Sequence, residues 1–203
     1  CKIQSITNVP DLVYYDKKNN FSIIEWIEGK QLQTPAHSDW HSLADFLVSI
    51  QPSRNTLSRM LFASEACFTV SEHWKKINIL YQESISKNGA KLAHYNILEK
   101  LTDLHRNASK YISGYLVNND QDFEKGNFAI LSPSDVGFHN VIKGKDSNYF
   151  IDFEYAGKDD PYKLLADLLI HPDWIPNRLD SKSLLKILNS VLHENDQNID
   201  FRR

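Results

Sequence analysis

The sequence predicts an α+β fold in which short hairpins accompany a mainly helical body. Two runs rich in β-branched and aromatic residues open the chain, at residues 12–15 and 21–27. Apolar residues then recur at helical spacing through most of the middle of the chain. A second predicted hairpin, at residues 141–151, carries amide and acidic side chains close to its ends. Strands, then helices, then another hairpin are an order expected of an α+β chain.

The first two runs are predicted to pair with each other. Residues 16–20 between them are Asp-Lys-Lys-Asn-Asn, which is typical of a turn, so the two runs should form a hairpin. Gly29 ends the second run. The first helix is predicted at residues 38–50, with Ser38 as its N-cap and Pro52 beyond its end.

The rest of the helical body is predicted in separate stretches. Residues 58–86 show a helical pattern with room for a break near residues 68–70, and Gly89 separates this pattern from a long helix at residues 91–116. The tail is predicted to contain helices at residues 164–170 and 181–192. One stripe of the long helix is apolar and aromatic, and we expect it to be core rather than a ligand site: Leu92, Tyr95, Leu98, Leu101, Leu104, Ala108, Tyr111 and Tyr115.

The composition excludes several classes of protein. A chain of 203 residues with 41% hydrophobic content can bury a core. Its net charge of −3 offers no basic excess for a phosphate backbone, which argues against a nucleic-acid partner. Cys1 and Cys67 do not make a disulfide framework, so a cytoplasmic location is predicted. No signal peptide is recognisable, and the apolar run at residues 164–170 is interrupted by Asp167 and too short to span a membrane.

The chemistry is expected around the second hairpin. A short apolar strand at residues 128–131 leads to Asp135, and Asn140 follows five residues later, just before the strand that starts at Val141. Asp152 comes twelve residues after Asn140, at the end of the apolar strand 149–151. Because the strands should pair across a turn at residues 144–147, Asn140 and Asp152 are expected to lie close together.

These residue types suit the transfer of a phosphoryl group. Amide and carboxylate oxygens are hard ligands suited to Mg²⁺, which shares its other positions with water and phosphate oxygens. Asp135 can accept a hydrogen bond from an attacking hydroxyl. An aspartate, an asparagine and a strand-end aspartate at such spacings are what a kinase uses. Taken singly, Asp135 is also compatible with a turn, and Asp152 with a helix cap.

The same segments resemble a known family. Pro133-Ser134-Asp135 with Asn140, then Ile151-Asp152-Phe153-Glu154, then Gly157-Lys158-Asp159-Asp160-Pro161 are similar to the patterns His-Gly-Asp-x-x-x-x-Asn, Ile-Asp-Phe-Glu and Gly-x-x-Asp-Pro. Those patterns are typical of the aminoglycoside phosphotransferase and choline kinase group, small-molecule relatives of protein kinases. Val9-Pro10 and the segment 25–29 resemble the end of the small lobe and the hinge. The resemblance runs from about residue 9 to about residue 173.

The resemblance implies a protein-kinase-like fold. Residues 1–29 would be the last two strands of the N-lobe and the hinge, and residues 30–203 the helical C-lobe with its catalytic-loop hairpin. It implies that Asp135 is the catalytic aspartate, that Asn140 and Asp152 bind Mg²⁺, and that the backbone of Glu25, Trp26 and Ile27 meets the adenine of ATP or another nucleoside triphosphate. The implied activity is phosphoryl transfer to a hydroxyl of a small molecule: an amino sugar, a choline-like compound or a sugar.

Three departures keep an alternative open. Pro133 stands where the family usually has a histidine that braces the loop, and Leu164 replaces the acidic residue usual after the Asp-Pro pair, although Asp167 lies close by. None of the seven glycines forms a Gly-x-Gly phosphate loop. The lysine that grips the phosphates should precede the first hairpin. The chain begins at Cys1 and its one methionine is Met60, so we expect it to be a fragment with the rest of the N-lobe upstream. The alternative is a catalytically inactive, kinase-like module that binds a nucleotide or a protein. A metal-dependent phosphoester hydrolase would need more carboxylates or histidines near the hairpin.

Other polar residues allow more than one interpretation. His139 is either directed at substrate or solvated, and His37, His41 and Asp45 are expected to be surface residues rather than a metal-binding face. A second acidic set indicates a cationic acceptor or, more simply, turn and capping positions: Glu154, Asp159 and Asp160. The sequence predicts no oligomeric state.

Overall fold

The computed structural model of the protein describes residues 6, 8–94, 97–118, 129–171, 174 and 184–185. Along the chain, three strands come first, four helices follow, and four more strands and a last helix come after them. This is the order predicted. The strands are β1 Leu12–Asp16, β2 Phe21–Ile24, β3 Lys30–Gln31, β4 Ile130–Ser132, β5 Val141–Lys143, β6 Asn148–Phe150 and β7 Gly157–Asp159. The helices are α1 His37–Ser49, α2 Arg54–Ser58, α3 Val70–His94, α4 Ile97–Asn118 and α5 Pro161–Leu169, with a 3₁₀ turn at Phe138–Asn140.

The chain divides into two compact units. One consists of Cys1–Ala66 together with Phe128–Arg203, and the other of Cys67–Asn127. All the strands belong to the first unit. The division into an N-lobe end at residues 1–29 and a C-lobe from residue 30 stays a prediction.

The strands of the first unit form three small antiparallel sheets. β1 pairs with β2, β4 pairs with β7, and β5 lies between β3 and β6. The two predicted hairpins are confirmed: Asp16 faces Phe21 in the first, and Val141 faces Phe150 in the second. β3 and β7 were not predicted because runs of two and three residues are too short to show an alternating pattern.

The core of the first unit lies between α1, α5 and the second hairpin. Phe46 of α1 stacks on Phe150 of β6 with ring centroids 4.0 Å apart, and Trp40 meets Phe138 edge to face at 4.7 Å. The fully buried aliphatic members of this core are Leu43, Leu47, Ile130, Val141, Leu168 and Leu184. By contrast, the β1–β2 hairpin exposes its apolar side chains, with Leu12 62% and Val13 67% exposed.

Helix α1 begins one residue earlier than predicted and has a different cap. Its N-cap is Ala36, not Ser38, because the carboxylate of Asp39 accepts the N–H of Ala36 at 2.9 Å. Oδ1 and Oδ2 of Asp39 also lie 3.1 and 3.2 Å from Nζ of Lys143, and Oδ1 accepts the side-chain N–H of Asn148 at 3.0 Å. This buried carboxylate therefore joins the start of α1 to both strands of the second hairpin.

The second unit contains two long helices that pack against each other. The ring of His105 in α4 stacks on Tyr81 of α3 at 3.9 Å, and its Nε2 lies 2.7 Å from Oδ1 of Asn78. The prediction that Gly89 ends the first of these helices was wrong, since α3 continues to His94. Glycine in a helix interior costs only about 1 kcal/mol relative to alanine, which does not by itself end a helix. A Cβ at Gly89 would come no nearer than 3.9 Å to Ile85.

Two further helical predictions need correction. The pattern at residues 58–86 overestimates the helix, because Phe62 forms a parallel bridge with Lys158 and α3 starts only at Val70. The stripe predicted for one long helix is divided, since Leu92 lies in α3 and the later members lie in α4. None of its described members is fully buried: Leu104 is 68% and Tyr111 78% exposed, and Tyr95 lies outside the described residues. Helical periodicity reports which residues share a face but not whether a neighbour covers that face.

The C-terminal predictions are partly testable. The helix expected at residues 164–170 is confirmed as α5, whose first turn starts earlier, at Pro161. The helix expected at residues 181–192 lies outside the described residues, apart from Leu184 and Leu185, which are helical. Among the helices that the structure describes, none combines the length and the apolar character needed to cross a membrane.

Candidate active site

The loop that carries Asp135 turns sharply after β4. Ser132 is buried, and its Oγ accepts the N–H of Ser134 at 3.0 Å. Ser134 has a φ of 70°, a left-handed conformation that costs a residue other than glycine about 1 kcal/mol or more. The N–H of Asp135 donates to the carbonyl of Pro133 at 3.0 Å. The polar groups of this loop therefore hold a strained turn that leaves the side chain of Asp135 about half exposed, at 52%.

Asn140 is fixed at the end of the 3₁₀ turn. Its side-chain NH₂ donates to the carbonyl of Asp135 at 2.9 Å, and its backbone N–H donates to the carbonyl of Gly137 at 3.0 Å. Since the NH₂ group is engaged by a carbonyl, Oδ1 is the atom of this amide left to act as a ligand. A Cβ at Gly137 would lie 2.5 Å from the ring of Trp174, so the chain needs glycine there for space.

Asp152 is brought to the same place by the hairpin. The carbonyl of Asn140 accepts the N–H of Ile151 at 3.0 Å, so Asp152 is the next residue beyond this pair. Its φ of 66° places it in the left-handed region, where aspartate is tolerated better than most residues. Strained backbone at a chemically competent carboxylate motivates a functional hypothesis for Asp152.

The pKa of the Tyr155 hydroxyl is affected by the negative charge around this loop. This pKa is raised above the ordinary value, first by a hydrogen bond to the carboxylate of Glu154 and by the charge of that carboxylate. The carboxylates of Asp152 and Asp135 contribute in the same direction. Three acidic side chains thus act on one exposed phenol, so the surface around the loop is electronegative.

The structure gives His139 partners within the protein and adds residues that the sequence did not single out. Nε2 of His139 lies 3.2 Å from Oδ1 of Asp135, and the ring of His139 stacks at interplanar angles of 26° and 23° on those of His171 and Trp174. Nε2 of Gln31 in β3 donates to the carbonyl of His139 at 2.7 Å. No local motif marks Gln31 or Trp174, because each meets the loop through tertiary packing alone.

The segment predicted to meet adenine is extended and partly open. The backbone N–H of Glu25 is engaged by the carbonyl of Asp11 at 2.8 Å, and the N–H of Asp11 donates to the Glu25 carboxylate at 3.2 Å. Trp26 is 83% exposed, while Ile27 is buried. Within the described part of the chain, no hydrogen bond engages the backbone of Trp26 or Ile27. These free backbone groups fit what the edge of an adenine ring requires, one donor and one acceptor.

The ligand set at the hairpin fits a magnesium ion better than a transition metal. Among the residues that the structure describes, no group of three or more His, Cys, Asp or Glu side chains could hold a metal ion. Mg²⁺ keeps several waters and is bound through one or two carboxylates together with substrate phosphates, and Asn140 and Asp152 stay the ligands predicted for it. On α1, His37 and His41 contact each other, with their Nε2 atoms 3.0 Å apart.

Two of the three acids suggested as an acceptor site have structural partners. Asp160 is the N-cap of α5 and accepts the N–H of Tyr162 at 2.7 Å and that of Lys163 at 3.3 Å. The fully buried Asp159 accepts the N–H of Asp160 and lies 3.5 Å from Nζ of Lys163. The capping interpretation of Asp160 is confirmed. Glu154, which is exposed, remains in the acidic surface beside Asp135 and Asp152.

Comparison with known proteins identifies the fold. No protein-family model matches the chain, and no curated protein matches it significantly. A choline kinase from Cryptosporidium parvum Iowa II superposes with a TM-score of 0.54 and 17% identity, covering 94% of this chain and 59% of its own. A gentamicin complex of the aminoglycoside phosphotransferase APH(2")-IIa superposes with a TM-score of 0.51 and 19% identity, covering 90% of this chain and 59% of its own.

The chain thus spans about three fifths of the length of these two enzymes, 59% in each case. The resemblance predicted from the motifs around Asp135, Asn140 and Asp152 is confirmed at the level of the fold. The described chain has the mixed helical and antiparallel-sheet, kinase-like fold of the choline kinases and aminoglycoside phosphotransferases.

Proposed function

We propose that the protein is a phosphotransferase that uses ATP, or another nucleoside triphosphate, and Mg²⁺ to phosphorylate a hydroxyl of a small molecule. The observation that carries the proposal is the hydrogen-bonded link between Asp135, Asn140 and the Ile151–Asp152 strand end. The contact of 2.9 Å links Asn140 to Asp135 within one loop, and the contact of 3.0 Å pairs Asn140 with Ile151, the residue before Asp152. This arrangement supports the proposal that the three side chains act together.

Asp135 is the residue proposed to meet the acceptor. Its carboxylate is half exposed and belongs to a loop whose own hydrogen bonds fix the backbone. It would accept a hydrogen bond from the acceptor hydroxyl and orient it towards the phosphoryl group. Positioning of this kind, together with charge neutralisation, accounts for most of the catalysis in phosphoryl transfer.

Asn140 and Asp152 are the residues proposed to hold Mg²⁺. Oδ1 of Asn140 and the carboxylate of Asp152 are hard oxygen donors, and Asp152 is exposed. When bound, the ion would neutralise charge on the phosphates. The backbone of Glu25, Trp26 and Ile27 is proposed to receive the base of the nucleotide. In the described part of the chain, the groups of Trp26 and Ile27 are available to it, whereas the N–H of Glu25 is engaged by a backbone carbonyl. Because the chain covers 59% of its structural neighbours, the proposal concerns the complete gene product.

The acceptor is proposed to be an amino sugar, a choline-like compound or a sugar. The acidic surface formed by Asp135, Asp152 and Glu154 favours the cationic members of this set. Of the two structural neighbours, one is named as a choline kinase and the other is a complex with gentamicin. Choline and gentamicin are both cations. A cytoplasmic location stays a prediction from the cysteine content.

The test compares three matched substitutions in the complete gene product. Asp135→Asn should retain Mg·ATP binding and lose turnover by about 10²- to 10⁴-fold, because the hydroxyl loses its acceptor. Asp152→Asn should lose metal-dependent nucleotide binding. Asp146→Asn, in the exposed turn of the same hairpin, should behave as wild type. Binding is measured by calorimetry with and without Mg²⁺, and turnover by release of ADP with a panel of amino sugars, choline and sugars.

The alternative has a distinct outcome. A wild-type protein that binds Mg·ATP but transfers phosphate to no acceptor, water included, is the inactive nucleotide-binding module. A protein that binds no nucleotide, or an Asp135→Asn variant with wild-type turnover, contradicts the proposed enzyme.

A further inference from the structure

The residues next to Asp135 in the sequence do not orient its carboxylate. The N–H of Ser134 is taken by Oγ of Ser132, and the N–H of Asp135 by the carbonyl of Pro133. Pro133 itself has neither a backbone N–H nor a polar side chain. In the described part of the chain, the one side chain within ion-pair distance of this carboxylate is His139, through Nε2 at 3.2 Å from Oδ1.

His139 is held from several sides. Its backbone carbonyl accepts the side-chain N–H of Gln31 at 2.7 Å. Its ring lies 5.7 Å from that of Trp174 at an interplanar angle of 23°, and 5.4 Å from that of His171 at 26°. Trp174 and His171 stack on each other with ring centroids 3.6 Å apart. The ring of His139 therefore lies against a pair of stacked aromatic rings. The neighbouring Phe138 is 1% exposed and anchors the turn in the core.

The environment of the ring favours one tautomer. Nδ1 of His139 is buried, and among the described residues it has no hydrogen-bond partner. An unpaired N–H in the interior is rarer and costs more than an unpaired acceptor, so the proton of the neutral ring belongs on Nε2. Nε2 is the nitrogen that lies 3.2 Å from Oδ1 of Asp135. The fold therefore places a donor next to the carboxylate.

We infer that His139 is a positioning residue for Asp135, which lies four positions earlier in the same loop. Its Nε2–H restrains one oxygen of the carboxylate, so that the other oxygen faces the acceptor hydroxyl in a fixed orientation. This inference rests on the proposed phosphotransferase function. A half-exposed aspartate without such a partner would sample several rotamers, and misorientation of a reacting group by as little as 1 Å can cost about 100-fold in rate.

Two substitutions separate the hydrogen bond from the packing. His139→Phe keeps a flat ring that stacks against Trp174 and removes the donor. His139→Gln loses the aromatic ring but restores an N–H donor near the position of Nε2. We expect His139→Phe to lower kcat by about 10- to 100-fold, as for other residues that orient a ligand or base, with KM for Mg·ATP changed by less than about 2-fold. His139→Gln should recover most of kcat.

The control is His37→Phe, the same change at an exposed histidine of α1, which should leave kcat and KM unchanged. Thermal unfolding of each variant shows whether the fold is intact. Wild-type kcat in His139→Phe would overturn the inference. Equal losses in the Phe and Gln variants would also overturn it, since they would assign the effect to ring packing or local structure.

A second measurement does not depend on activity. The ¹⁵N resonance of Nε2 of His139 should move when Asp135 is changed to Asn at constant pH, because the carboxylate is replaced by a neutral amide. A wild-type protein that transfers no phosphate to any acceptor contradicts the proposed function, and the ¹⁵N shift then still tests the contact. An unchanged resonance would overturn the positioning role whatever the activity.

Discussion

Replacing Asp39 by alanine should destabilise the first unit strongly, although Asp39 is not one of the residues proposed to bind the nucleotide, the metal ion or the acceptor. The carboxylate is 3% exposed and accepts hydrogen bonds from the N–H of Ala36, the amide of Asn148 and Nζ of Lys143. It therefore links the start of α1 to the hairpin whose ends carry Asn140 and Asp152.

The expected magnitude follows from what each partner loses. Asn148 is 7% exposed, so an N–H of its amide is left buried without an acceptor, at a cost of about 1–3 kcal/mol. Loss of the capping contact to Ala36 costs about 1 kcal/mol. The side chain of Lys143 is 51% exposed, so its ammonium group can be solvated by water in the variant. The loss of this ion pair therefore costs at most about 1 kcal/mol. Together these give a loss of about 3 kcal/mol in the free energy of unfolding.

The assay is urea unfolding followed by tryptophan fluorescence, with the midpoint compared at unchanged slope. Asp45→Ala is the matched control, since Asp45 is an exposed aspartate of the same helix and should change stability by less than about 0.5 kcal/mol. A loss below about 1 kcal/mol in Asp39→Ala, or an equal loss in both variants, would refute the assignment of Asp39 as a buried link.

The pH dependence of this difference is a further check. Burial raises the pKa of Asp39, but hydrogen bonds from Asn148, the N–H of Ala36 and Lys143, with the charge of Lys143, bring it below the ordinary value. A carboxylate with a lowered folded pKa stabilises the fold above its unfolded pKa, about 3.9, and this contribution is lost as the pH falls through the folded pKa. The difference between wild type and Asp39→Ala should therefore be full at pH 7 and shrink below about pH 4.

Three other sites give further predictions. Gly157→Ala would place a Cβ 2.5 Å from the backbone nitrogen of Ala63 and should destabilise by about 2 kcal/mol or more, whereas Gly89→Ala, with its nearest contact at 3.9 Å, should stabilise α3 by about 0.5–1 kcal/mol. Thermal unfolding of the two variants checks this, and similar effects would contradict the packing at Gly157. Lys163→Met should cost about 3 kcal/mol or more at pH 7, because it leaves the carboxylate of Asp159 buried without its cation. Burial lowers the pKa of Lys163, but Asp167 and Asp159 raise it overall above the ordinary value, so its contribution should persist at pH 9 and be lost only as the pH rises through that raised pKa. Loss of the difference between wild type and Lys163→Met already at pH 9 would contradict this pairing.

Much of the candidate site follows from local patterns. The alternation in the two hairpins, the turn residues at 16–20 and the spacing of Asp135, Asn140 and Asp152 are properties of short windows of sequence. Such windows are governed by backbone propensity and by the two-residue period of strands, so the β1–β2 and β5–β6 pairs form as predicted. Gly89 and the apolar stripe of α4 show the limit of prediction from local sequence. A pattern shows which residues share a helix face, but not whether a neighbouring element covers that face.

The sequence by itself, through motifs that resemble those of the small-molecule kinases, predicted the kinase-like fold and the three residues proposed to bind and orient the reactants. Only the tertiary structure decided what holds them in place. Gln31 reaches His139 over 108 positions, Asn148 reaches Asp39 over 109, and Lys143 reaches Asp39 over 104. Contacts over such separations depend on how α1, β3 and the second hairpin pack around one core, and a local pattern carries no information about that packing. The left-handed Ser134 and Asp152 depend on the same packing, because the surrounding contacts must outweigh the strain.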